Sequence, residues 1–169
     1  MEPRIAWDTF IDPAFRFEIE HPMDWQVEAD AENARLKVSE PERSVLWRTS
    51  VEVRSEKKKR ETDADLLSDR VRELKALNNG YEFVNGNRLL HPCGAMAVHH
   101  CYRETRENAA LLTREMLLNV PGEIRVYLLI GRSLADRADD WQPVFEHIFN
   151  SFQFTQASGK WVIPDDMRR

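Results

Sequence analysis

Residues 95–130 read AMAVHHCYRETRENAALLTREMLLNVPGEIRVYLLI. This stretch decides the fold. It holds three extended runs, 95–105, 110–120 and 123–131, separated by connections too short for a helix. Pro121-Gly122 is a turn signal that joins the last two as a hairpin. Strands linked this closely pair antiparallel, because a parallel crossover needs a dozen or more residues. Outward from this centre, Phe15, Phe17 and Ile19 alternate with Arg16 and Glu18. Val45, Trp47, Thr49, Val51 and Val53 likewise alternate over 45–53. Both runs have the period of two expected of half-buried strands. Further strands are expected at 35–39 and 81–90, and Asn85-Gly86, a strong turn dipeptide, is expected to split the latter.

Two segments have the helical period instead. Thr62 caps the first, with Asp63 and Asp65 in its opening turn, where the helix dipole favours negative charge. Leu66, Leu67, Val71, Leu74 and Leu77 fall on one face. Asn78-Asn79-Gly80 ends it, with Gly80 as the left-handed residue. The second helix is expected from Asp139 or Asp140, with Pro143 in its first turn. Its buried face is Val144, Phe145, Ile148, Phe149 and Phe152, joined by Trp141. Strands, helix, strands, helix make an α+β domain in which helices cover an antiparallel sheet.

The chain has 169 residues, 42% hydrophobic and 31% charged. That suits one domain able to bury about 70% of its surface. It excludes disordered and collagen-like classes. No apolar run reaches the ~20 residues of a membrane-spanning helix, so no membrane insertion is expected. The start, MEPRIAWDTFIDP, lacks an apolar signal core, and we expect a cytoplasmic protein. The net charge is −5. Nucleic-acid binders are typically basic, so that class is disfavoured. The acids are concentrated: residues 8–32 hold Asp8, Asp12, Glu18, Glu20, Asp24, Glu28, Asp30 and Glu32 against Arg16 alone. Such a face is either plain solvated surface or a dock for a basic partner.

Candidate chemistry is sparse. His91, Cys93, His99, His100 and Cys101 lie close in sequence, but on a strand His99 and Cys101 point away from His100. Paired ligand spacings such as C-x-x-C are missing, so no metal or other cofactor is expected. Cys93 and Cys101 read as free, buried thiols, and a pairing across a turn stays open, because it needs Cα atoms within about 7 Å. No nucleophile elbow, H-E-x-x-H or phosphate-cradling glycine loop is present. Lys57-Lys58-Lys59-Arg60 is the one basic cluster, either a solvated loop or a contact for an acidic partner. Of the five tryptophans, Trp25 and Trp47 sit in strand patterns and are expected in the core. Trp7 and Trp161 lie near the ends and either pin the tails or face a partner. The expected partner-binding set is Trp7, Asp8, Phe10, Asp12 and Trp161: aromatic anchors supply affinity and acids supply approach rate.

Two motifs carry a resemblance. Phe15-Arg16-Phe17-Glu18-Ile19-Glu20-His21-Pro22-Met23-Asp24-Trp25 resembles the opening of the PsbP/Mog/DcrB-like superfamily, an aromatic strand running into a Pro-x-x-Trp corner. Phe145-x-x-Ile148-x-x-Ser151-Phe152-x-Phe154 resembles its last helix breaking into a Ser-Phe-x-Phe strand. The resemblance spans residues 10–155. It implies an α/β/α sandwich with a domain at 1–155, followed by an extension at 156–169. It also implies a non-enzymatic, protein-binding role, and its nearest branch here is the cytoplasmic DcrB-related adaptors linked to secretion. It brings no shared catalytic residues. A homodimer stays open. The competing reading is a small hydrolase or metal-dependent enzyme on the same fold, which would need titratable groups converging on a pocket.

Overall fold

The computed structural model describes residues 4–30, 34–42, 47–120, 123–156 and 159–160. In chain order these form β1 (Trp7–Asp12), β2 (Phe17–Pro22), β3 (Gln26–Ala29), β4 (Leu36–Ser39), β5 (Ser50–Lys57), α1 (Asp63–Ala76), β6 (Glu82–Leu90), β7 (Met96–Arg106), β8 (Ala109–Asn119), β9 (Arg125–Leu134), a 3-10 turn (Ala135–Arg137), α2 (Ala138–Ser151), β10 (Gln153–Gln156) and β11 (Gly159–Lys160). The α+β class expected from the sequence is what the chain adopts. Seven strands make the main sheet in the order β3-β4-β5-β9-β8-β7-β6, and β1-β2-β10-β11 make a smaller second sheet. Every pairing is antiparallel. β7 and β8 are joined by Glu107 and Asn108 alone, both with positive φ (48° and 64°). That geometry matches the right-handed strand twist. β8 and β9 pair from Asn119↔Val126 onward, so the expected hairpin is present, while Pro121-Gly122 lies outside the described residues.

The second sheet and β1 were not anticipated. Trp7–Asp12 lacks clean alternation, because this strand packs only part of one face. Asn85-Gly86 makes no turn. β6 runs through it with a register shift between Phe83 and Asn85, a bulge that absorbs one extra residue.

α2 forms the core. Val144, Phe145, Ile148 and Phe149 meet Phe17 and Ile19 of β2 and Val51, Val53, Met116, Leu118 and Leu129 of the main sheet, and Phe152 continues the cluster. Gly131 lets the helix approach: a Cβ there would lie 3.1 Å from the Phe145 ring. α2 begins at Ala138, so Pro143 sits in its second turn and not its first. It removes one helical hydrogen bond, and the surrounding packing holds the helix nonetheless.

α1 lies on the opposite face and packs differently from the sequence expectation. Thr62 caps it, its side chain accepting from the Asp65 amide. The left-handed residue at its end is Asn78 (φ 50°), with Gly80 (φ 75°) two residues on. Of the expected apolar stripe only Leu74 is buried, and Leu77 is 58% exposed. Polar tethers hold the helix instead. Asn119 Nδ2 donates to Glu61 O and Asp63 Oδ1 at one end, and Asn79 Nδ2 donates to Glu104 Oε2 at the other.

Candidate functional site

Strand register explains why α1 is tethered by charge. On the face under α1 the sheet is laid out in rungs. One is Arg54–Leu128–Leu117–Val98–Arg88, the next Glu52–Ile130–Glu115–His100, and the next Ser50–Arg132–Thr113–Tyr102–Phe83. The last two carry buried charge. Arg70 of α1 reaches down so that its Nε lies 3.1 Å from both Glu115 oxygens. Tyr102 Oη donates to Glu115 Oε1 at 2.7 Å. His100 Nδ1 stands 3.8 Å from Glu115, beyond hydrogen-bond range, while its Nε2 meets Tyr81 Oη at 2.8 Å. Burial alone would raise the Glu115 carboxyl. His100, Arg70 and Tyr102 outweigh it and hold the group down at about 2. A second knot joins Glu104, which accepts from Thr113, Arg106 and Arg132, to Glu52, which accepts from Arg132 and Arg54. Burial opposes the Glu52 charge, but Arg132 and Arg54 keep it ionised. These carboxylates already accept from fixed donors, so they hold α1 and the sheet together.

The first of these rungs is apolar at its centre, with Val126 beside it, and there the helix stands off. Leu66 and Leu67 of α1 face Val98, Leu117, Val126 and Leu128 across a cavity of about 580 Å³, with Lys57, Lys59 and Arg60 at its rim. The basic cluster of the sequence thus edges a concave apolar site.

On the other side of the molecule a cleft of about 380 Å³ is built from three separated segments. Trp25 comes from the turn after β2, Trp47 from the approach to β5, and Trp141 from the first turns of α2. Trp25 and Trp141 meet edge-on, with centroids 5.7 Å apart. Ile5, Pro22, Pro41 and Leu134 complete the wall, and Asp24, Glu40 and Arg137 stand at it. Arg137 is paired with Asp140 at 3.1 Å. Trp25 is buried as expected, although in a turn and not a strand. Trp47 is half-buried and faces the cleft, and its Nε1 is buried with no hydrogen-bond partner among the described residues.

The expected partner-binding residues divide. Trp7 is half-buried and stacks on His147, centroids 3.6 Å apart. Phe10 is half-buried near Phe17. Asp8 is exposed and accepts from the Thr9 amide. Asp12 is 4% exposed, accepts from the Ala14 and Phe15 amides, and pairs with Arg35 at 3.3 Å, so its carboxylate closes its own turn. Trp161 lies outside the described residues. Trp7 pairs with Pro22, which lines the tryptophan cleft, so β1 borders that cleft. The tryptophans themselves were visible in the sequence, but their convergence was not. It depends on a turn and a loop meeting a helix start more than 90 positions further along the chain.

The histidines and cysteines separate. His91 Nε2 donates to Phe149 O at 2.6 Å, and its Nδ1 accepts from the Cys93 amide. His100 lies under α1, while His99 and Cys101 take the α2 face. Both cysteines are free, and burial pushes the Cys93 thiol up to about 11. Among the described residues no group of three or more His, Cys, Asp or Glu is placed to hold a metal, and no helix is long and apolar enough to cross a membrane.

Solved structures match this architecture along almost the whole chain. Cyanobacterial PsbP (CyanoP) from Synechocystis sp. PCC 6803 superposes with a TM-score of 0.67 at 15% identity, covering 90% of this chain and 95% of that one. The Ran-binding protein Mog1p of Saccharomyces cerevisiae gives 0.67 at 9% identity, covering 92% and 98%. The chain has the PsbP/Mog1-like fold. LpqN of Mycobacterium tuberculosis, involved in cell envelope biogenesis, gives 0.65 at 14% identity over 89% and 91%. No protein-family profile matches the chain, and no curated protein does.

Proposed function

We propose that this chain is a non-enzymatic protein-binding module that grips a basic partner at the tryptophan cleft. The observation that carries the reading is the convergence of Trp25, Trp47 and Trp141 on an open cleft with Asp24 and Glu40 at its wall. Large aromatic faces in a concave patch are the usual affinity anchors of protein interfaces. A Lys or Arg side chain laid over an indole gains a cation–π attraction. The acids of residues 8–32 add long-range steering for a positively charged partner. Mog1p is itself a Ran-binding protein, so this fold serves protein binding in at least one of its members. The buried carboxylates favour the same reading over a hydrolase, because Glu104 and Glu115 are committed to arginine and hydroxyl donors.

Within that class, a cytoplasmic, DcrB-related secretion adaptor is the narrower reading, resting on the Phe15–Trp25 and Phe145–Phe154 motifs. The test is affinity capture from the native host with the full chain, with bound proteins identified by mass spectrometry. A protein retained by the wild type should be lost with Trp47→Ala and with Asp24→Lys, and kept with Leu90→Ser on the far edge. Equal retention by all four chains refutes the proposal.

A further inference from the structure

We propose that the cavity beneath the N-terminal half of α1 binds a single-chain amphiphile with an anionic head, a carboxylate or phosphate carried on an alkyl chain. The inference is independent of the protein-binding reading, which uses the opposite side of the molecule.

Three features point to it. The first is an apolar floor and roof that do not touch. Val98, Leu117 and Leu128 form one continuous rung of three paired strands, with Val126 beside it. Leu66 and Leu67 face this floor across the cavity and are only half-buried. The helix does not settle onto the floor because Arg70, seated on Glu115, and the two asparagine tethers fix its height. Apolar surfaces held apart in this way gain free energy when an apolar group displaces the solvent between them.

The second feature is size. About 580 Å³ lies within the ~300–1,000 Å³ typical of small-molecule sites. A peptide helix 10–12 Å across would fill it with about one turn. A single alkyl chain uses the space along the rung.

The third feature is the charge at the mouth. Arg60 is paired with Asp65, Arg72 with Asp69, and Arg70 with Glu73 and Glu115. Lys58 Nζ donates to Val120 O at 2.9 Å, which pins the loop. Lys57 and Lys59 on either side of it are exposed, line the cavity, and have no ion-pair partner among the described residues. Two ammonium groups therefore stand against Glu56 alone. An anionic head seated between them would leave its chain to run inward over Val126, Leu128 and Leu117.

The experiment is calorimetric titration of the full chain, below the micelle threshold, with sodium dodecanoate, dodecyl phosphate and dodecyltrimethylammonium. The expected result is one saturable site for the anions, and whichever binds tighter names the head group. The ammonium probe should bind at least about tenfold more weakly. Lys57→Glu at the exposed end of β5 with Lys59→Glu on the exposed loop after it should weaken the anions by about tenfold. Leu67→Trp should fill the cavity and abolish binding of both anions, with a near-unchanged melting temperature. Absence of saturable binding overturns the proposal. So does equal affinity for the anionic and cationic probes, or unchanged affinity in the lysine double variant.

Discussion

Replacing Glu115 by Gln isolates the charge that seats α1 on the sheet. The side chain is about as large, and one oxygen remains to accept from Arg70 or Tyr102, so the variant removes charge with little change of shape. In the folded protein the carboxyl is held at about 2, down from an ordinary 4.5. The difference is worth roughly 3 kcal/mol, at about 1.4 kcal/mol per pH unit. The folded-state value lies below the unfolded one. The stabilisation is therefore fully present above pH 4.5 and is lost as pH falls from there toward 2. Urea unfolding at pH 7 should show Glu115→Gln less stable by roughly 3 kcal/mol, or roughly 6–12 °C in melting temperature for a domain of this size. At pH 3 the gap should shrink to about 1.4 kcal/mol, because the unfolded carboxyl is by then protonated while the folded one stays mostly ionised. A gap below about 1 kcal/mol at pH 7, or one that does not change with pH, refutes the claim that an ionised Glu115 fixes the helix.

Other consequences follow from the same contacts. Phe149→Ala, in the centre of the α2 core, should cost about 3–5 kcal/mol in denaturant unfolding. Gly131→Ala should cost about 1–3 kcal/mol, because its methyl group would press the Phe145 ring and shift α2; an unchanged unfolding midpoint would contradict the close approach. Thr62→Ala removes the α1 cap and should cost about 0.5–2 kcal/mol, with faster amide exchange confined to the first turns of that helix. His91 is buried in its neutral form between Phe149 O and the Cys93 amide, and burial lowers its proton affinity. The folded-state value again lies below the unfolded one, so a His91-dependent stability should be present above about pH 6.5 and fade below it, and His91→Gln should lose that pH dependence.

Much of the architecture was legible because the physics that sets it is local. Period-two alternation marked β2 and part of β5, extended runs with short connections marked β4 and β6 to β9, and the apolar stripe Val144–Phe152 marked the helix that fills the core; β3 was not anticipated. The α1 face was not legible for a physical reason. His100, Tyr102, Glu104, Thr113 and Glu115 occupy alternate strand positions, and nothing local in their polar side chains marks them as buried. They are covered, because Arg70 brings the matching charge to Glu115 from 45 residues away and Arg132 to Glu104 from 28. The sign that could have found them is complementary: three acids and an arginine at inward positions of strands that are otherwise apolar, opposite a helix with Arg70 next to its leucine stripe. Asp12 misled in a similar way. As one acid among eight it looked like surface, yet the Pro-Ala-Phe that follows turns the chain back, and the carboxylate caps that turn. The tryptophan cleft was invisible because Trp25, Trp47 and Trp141 meet only after the two sheets and α2 have assembled.

Hydrogen–deuterium exchange of the full chain, alone and saturated with the captured and purified partner, tests the binding account most directly. The account predicts slowed exchange in residues 22–26, 40–42, 47–49 and 134–141, the segments that build the tryptophan cleft, with α1 and β6 unchanged. Slowed exchange confined to α1, β6 or the 57–60 loop, with the cleft segments unaffected, would contradict it.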